Sequence, residues 1–159
     1  MKILVAGIGN VLLGDDGFGV EVAHRLAGRA LPESVRVAEF GIRGMDLVFA
    51  LLGGYDAAIL VDVVNRGGSP GTLYVIEPRV APDDEVGPDT HEMHPARVLA
   101  LAEAMGGHVA TMRLVGCEPA TIDLDELTMG LSASVAAAVE PAMALVESIV
   151  AGLEGHADA

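Results

Sequence analysis

Short apolar runs alternate with helically spaced segments along this chain. The pattern predicts an α/β fold: one three-layer domain, with a twisted, mostly parallel sheet of about five strands and helices on both faces. Two observations carry the prediction. The run Ile3 to Gly7 is continuously apolar, and AAILVDVV (57–64) is apolar but for Asp62, as strands covered on both sides must be. Between them lie segments with helical spacing of apolar residues. No internal repeat, linker or low-complexity tract interrupts the 159 residues. Residues 1–159 therefore read as a single domain, with a core of about 2–153 and a disordered tail at 154–159.

The elements follow in order. Residues 3–7 form the first strand. GFGVEVAHRLAGRA (17–30) carries Phe18, Val22, Ala23, Leu26 and Ala27 at helical spacing, and Pro32 stops it. VRVAEF (35–40) reads as a second strand and GMDLVFALLGG (44–54) as a short helix ending at a Gly pair. AAILVDVV is the strongest strand. The turn cluster NRGGSPG (65–71) leads into TLYVIE (72–77). That connection is too short for a parallel crossover, which needs roughly a dozen residues. Residues 72–77 are therefore expected antiparallel to 57–64, or beside it at an edge. Residues 78–94 are polar, acidic and Pro-bearing, hence a long loop. PARVLALAEAMGG (95–107) is a helix with Pro in its first turn and Gly after its end. HVATMRLVGCEP (108–119) is a strand, and residues 132–153 form an Ala/Val-rich helix with an expected kink or break at Pro141. In such sheets sites form beyond the carboxyl ends of the strands, here just after residues 7, 62 and 116.

Composition narrows the function. Lys and Arg are outnumbered 9 to 23 by Asp and Glu, for a net charge of −14. Such a field repels nucleic acid and anionic lipid, and suits a cationic ligand or a basic partner segment. A lone cysteine, Cys117, rules out an intrachain disulfide and fits a reducing compartment. The N-terminus lacks the long apolar region of a signal peptide, and no stretch offers ~18 to 20 uninterrupted apolar residues for a membrane span. The expected location is the cytoplasm.

The loop GIGNVLLGDDGFG (7–19) starts like a phosphate cradle. Gly7 and Gly9 fit a dinucleotide fingerprint, but the third position is Leu12, and no Lys-Ser or Lys-Thr follows for a Walker loop. Asp15 and Asp16 would repel a pyrophosphate by several kcal/mol in a partly buried cleft. Either aspartate suits the N-cap of the helix near Gly17, and Asp15 is assigned that role. Asp16 is then left as a candidate cation ligand.

Asp62 interrupts an apolar strand, where an ionised carboxylate is costly unless paired or metal-bound. A strand-end Asp bonded to loop amides is the competing reading. His91 and His94 lie in THEMHP within the long loop; Pro95 argues against a helix there, so one of the two is expected to act. Two carboxylates and an imidazole suit a borderline divalent ion such as nickel or zinc. Cys117 could be a soft ligand or nucleophile, but reads first as a small buried residue. No G-x-S-x-G elbow is present, so a serine triad has no support.

Taken together, GIGNVLLGDDGFG, ILVDVV, THEMHP and LVGCEP resemble the hydrogenase maturation proteases, from residue 3 to about 150. These endopeptidases trim the C-terminus of the large subunit of nickel–iron hydrogenases. The segment GIRGM (41–45) departs from the Gly-Gly-Thr-x-Gly turn of many relatives but keeps Gly44. The resemblance implies that Asp16, Asp62 and His91 contact nickel, with His91 preferred over His94 by register with the following helix. It also implies that the nickel is supplied by the precursor as a recognition signal rather than held permanently. The partner would be the precursor of a NiFe-hydrogenase large subunit, met by a monomer. Asp16 or Asp62 could serve as general base. Two alternatives stand beside this: another metal-dependent peptidase with a permanently bound ion, or a maturation chaperone that binds the nickel site without cutting.

Overall fold

The computed structural model describes residues 1–42, 44–78, 95–120 and 127–157. Among these residues, five strands form one sheet: β1 (Ile3–Ile8), β2 (Val35–Gly41), β3 (Ala57–Val63), β4 (Leu73–Ile76) and β5 (Thr111–Cys117), in the spatial order β2-β1-β3-β5-β4. β1 pairs parallel with β2 and β3, and β3 pairs parallel with β5. β4 is an antiparallel edge strand, as the short 65–71 turn requires, but its neighbour is β5 and not β3. The place beside β3 belongs to β5, whose Thr111–Cys117 runs in register with Ala57–Val63. β3 and β4 are thus both hydrogen-bonded to β5, on its opposite edges.

Among the described residues, four α-helices cover the sheet: α1 (Phe18–Leu26), α2 (Gly44–Leu51), α3 (Pro95–Ala104) and α4 (Ala133–Ala157). A single 3-10 turn, η1 (Gly14–Gly17), precedes α1. The strands alternate their side chains between two apolar layers, as a pleated ribbon must. Ile3, Val5, Ile59, Val61 and Val115 face α1 and α4, where Phe18, Val22, Met143 and Val146 meet them. Leu4, Ala6, Leu60, Met112 and Leu114 face α2 and α3, where Leu47, Leu51 and Val98 meet them. This is the expected three-layer architecture.

α1 ends at Leu26, earlier than spacing alone predicts, as Gly28 and Arg29 tighten the chain by bonding back three residues to Arg25 and Leu26. α4 does not break at Pro141. Proline frees the carbonyl four residues back, that of Ala137, and both residues lie on the exposed side, where water can satisfy it. Residues 154–157, expected in the tail, continue α4. By length and composition α4 could cross a membrane, but here Val135, Val139, Met143, Val146 and Val150 build the core against the sheet.

Candidate active site at the carboxyl ends of β1 and β3

Where β1 ends, the chain must turn sharply away from the sheet. Gly9 does this with φ at 137°, and Asn10 closes an Asx turn by accepting the Leu12 N–H on its Oδ1 at 2.9 Å. The chain then winds through η1, placing Asp15 and Asp16 side by side but with different surroundings. α1 begins directly against the sheet: a Cβ on Gly19 would collide with the carbonyl oxygens of Val61 and Ile8. The glycines of the opening motif therefore permit backbone against backbone rather than backbone against phosphate.

Asp16 is 9% exposed, and its Oδ2 accepts the Asn10 N–H at 2.9 Å. Burial pushes its carboxyl above the ordinary value, and the Asn10 bond offsets this only in part. Asp62 is half-buried near the end of β3, and its Oδ1 accepts the Val63 N–H at 2.7 Å. Gly9 joins the two. A Cβ there would stand 3.7 Å from Asp62 Oδ1 and would collide with the Asp16 carbonyl oxygen. The structure thus brings the Asp16 backbone, in η1, and the Asp62 carboxylate, at the end of β3, to opposite sides of Gly9. His91 and His94 lie outside the described residues. Among the described residues no group of three His, Cys, Asp or Glu converges as a metal site.

Asp15 does not cap a helix. The N-cap positions are Leu13 for η1 and Gly17 for α1, and neither has a side-chain capping bond. Asp15 instead crosses to the segment after β5. Its Oδ1 accepts the Ser132 N–H at 2.7 Å, and its Oδ2 accepts the Ala120 N–H and the Ser132 hydroxyl, both at 2.9 Å. A cavity of about 400 Å³ opens beside it, lined by Leu13, Thr128, Met129 and Leu131 among others. A second, of about 360 Å³, lies between the β1 and β2 ends, lined by Gly9, Asn10, Leu12, Glu39 and Ile42.

Comparison with known proteins decides what this arrangement belongs to. Residues 20–149 match the HycI family model, described as hydrogenase maturation protease. The hydrogenase expression/formation protein HupD of Rhodobacter capsulatus is 36% identical over 151 residues, spanning 90% of this chain and 68% of its own length. The hydrogenase 2 maturation protease of Escherichia coli is 32% identical over 158 residues, spanning 96% and 91%. The chain belongs to the hydrogenase maturation protease family. The solved structure of the hydrogenase-maturating endopeptidase HybD from E. coli superposes with a TM-score of 0.80 at 29% identity, over 96% of this chain and 93% of that one. Hydrogenase-maturing endopeptidase is accordingly the activity class of this protein.

Within this maturation protease, Cys117 is fully buried at the end of β5. Burial first, then the nearby Asp15 and Glu118 charges, push its thiol up to about 11 against the pull of a Gly71 bond. A thiol so protonated is a poor nucleophile and a poor ligand. Sequence reasoning passed over Glu118. This carboxylate is 2% exposed, and it accepts the N–H groups of Arg66 at 3.0 Å and of Gly68, together with the Tyr74 hydroxyl at 3.1 Å. Burial pushes its carboxyl up, but these donors outweigh burial and hold it below the ordinary value. The available signal was a carboxylate inside the apolar LVGCEP strand end, the same anomaly that marks Asp62.

Proposed function

We propose that this protein removes the C-terminal extension from the nickel-loaded precursor of a NiFe-hydrogenase large subunit. Nickel belongs to the substrate in this reading and acts as the recognition signal. The observation that carries it is the meeting of Asp16 and Asp62 at Gly9, on the carboxyl edge of a family-typical sheet. Carboxylates of two residues that flank one glycine would offer oxygen ligands to a divalent ion, and His91 would add the imidazole that a borderline metal favours. Contact between these residues and the precursor's nickel would hold the enzyme over the scissile peptide bond.

Positioning is the main role assigned to the three residues. Asp16 and Asp62 are also the candidates to take a proton from the attacking water. Burial raises the Asp16 carboxyl above its ordinary value, the direction that suits a general base. The reading takes the protein to work as a monomer in the cytoplasm, where its single buried thiol is stable.

The test is mass spectrometry of the large-subunit precursor, nickel-loaded and nickel-free, after incubation with the protein. Loss of a defined C-terminal peptide from the loaded form alone supports the whole reading. Cleavage of both forms keeps the protease and removes nickel from recognition. Stable binding without cleavage of either would make the protein a chaperone of the nickel site. Tightly bound metal in the isolated protein, with cleavage depending on it, would favour a resident-metal peptidase.

A further inference from the structure

Asp15 and Glu118 are two buried carboxylates that the proposed chemistry leaves unused. Both are 2% exposed, and the partners described above are backbone N–H groups and hydroxyls. An ionised carboxylate at such depth is costly unless several donors converge on it, and each has three donor groups. The placement of those donors is informative. Asp15 is the chain neighbour of Asp16. Glu118 holds Arg66 and Gly68, which begin four residues after Asp62. The two carboxylates meet on one short piece of chain. Glu118 supplies its own side chain to the turn after β3, and Ala120, two residues on, supplies its N–H to Asp15.

That piece is stiff. Pro119 fixes one backbone torsion between the two attachment points. The Glu118 backbone is itself pinned, donating its N–H to the Thr72 carbonyl at 2.8 Å and accepting the Gly71 N–H at 2.8 Å. On the other side, η1 is held to the following segment by Gly14 N–H to the Thr128 carbonyl at 2.7 Å and by Thr128 N–H to the Leu12 carbonyl at 3.0 Å. The loop bearing Asp16 and the strand end bearing Asp62 are therefore tied through Glu118–Pro119–Ala120, in addition to the sheet itself.

We propose that Asp15 and Glu118 are positioning residues for the cleavage, fixing the spacing of Asp16 and Asp62 through this strut. The inference rests on the reading of Asp16 and Asp62 as the residues that face the precursor's metal. The physical reason for such a device is the sensitivity of catalysis to placement: a shift of about 1 Å costs on the order of 100-fold in rate. Loop ends beyond a sheet are not held to that tolerance by core packing alone.

The protein offers its own reporters. The Asn10 amide bonds to Asp16 and the Val63 amide bonds to Asp62. Hydrogen exchange at these two amides, followed by NMR in wild type, D15N, S132A and E118Q, measures the strut without reference to activity. The expected result is faster exchange at both reporters in each variant, including the distant one. Changes confined to Ala120 and Ser132 in D15N and S132A, and to Arg66 and Gly68 in E118Q, would overturn the proposal. S132A removes only a hydroxyl and guards against loss of fold in D15N.

Kinetics on the nickel-loaded precursor supply the second arm. Each variant should lower kcat/KM by about 10- to 100-fold, because the carboxylates that meet the precursor's nickel drift from their spacing. D15N/E118Q should lose less than the product of the single losses, since both act on one spacing. Full multiplicativity or unchanged kcat/KM would sink the strut. If wild type cleaves no precursor, the proposed function falls, and the exchange result still decides the strut.

Discussion

The backbone N–H of Asn10 donates to Asp16 Oδ2 at 2.9 Å, closing the chain on itself six residues later, just beyond β1. This bond steadies a carboxylate that burial would otherwise protonate more readily. Cleavage that needs Asp16 ionised should therefore rise with pH through a value above the ordinary 3.8 of an aspartic acid. D16N should abolish that acid limb and lower kcat/KM by about 100-fold or more. Retained binding of nickel-loaded precursor with lost cleavage would make Asp16 the base. Lost binding would make it a metal contact.

The same burial gives a stability prediction of opposite sense. Between 3.8 and its raised native value, Asp16 holds its proton more tightly in the folded chain than in the unfolded one. Its contribution to stability therefore falls as pH rises through that window and stays lower above it. At neutral pH, D16N should melt above wild type while being inactive, and the difference should close below 3.8. A lower melting temperature for D16N at neutral pH would contradict this.

Glu118 has the reverse sign. Its donors hold the native carboxyl below its ordinary 4.5 despite burial. The stability it adds is complete above 4.5 and is lost as pH falls through the native value. E118Q should melt below wild type at neutral pH, and the gap should shrink on acidification. Thermal melts across that range are sufficient to show it.

Gly9 cannot be replaced without moving the site. A side chain there meets a φ of 137° and the Asp16 carbonyl oxygen together. Strain of this kind costs about 1–3 kcal/mol. G9A should fold with a lowered melting temperature and lose cleavage by about 100-fold, because the loop must shift to admit the methyl group.

Cys117 should be dispensable. With its thiol up to about 11 and no exposed surface, it should resist alkylation at neutral pH in the native protein and react once unfolded. Cleavage should survive both thiol reagent and C117A. Loss of activity on native alkylation would return Cys117 to the site.

Much of this was legible in the sequence because burial writes itself into residue type. β1 announces itself as an unbroken apolar run, and β3 as one broken only by Asp62. The pairing of β4 was not legible. The 65–71 turn dictates its direction, but only the insertion of β5 beside β3 decides its neighbour, and that contact spans 54 residues, from Ala57 to Thr111. Asp15 was misread for a related reason. Local chemistry favours an N-cap, whereas Ser132 and Ala120 reach it from more than a hundred residues away. Glu118 stood out as a carboxylate after an apolar strand, but its partners were hidden, because they are mostly backbone amides, which every sequence has and none displays.

The distance along the chain between Asp15 and Ser132 bears on how the protein comes into being. Contacts of such separation form late, since a long loop must close before they can reward it. A chain growing from its N-terminus makes β1, η1 and β3 early, with both candidate carboxylates already present. The bonds from Ala120 and Ser132 become available only when most of the chain has left the ribosome. A nascent chain cut short before residue 120 would carry Asp16 and Asp62 but lack the clasp that orders them, so competence would arrive in one late step.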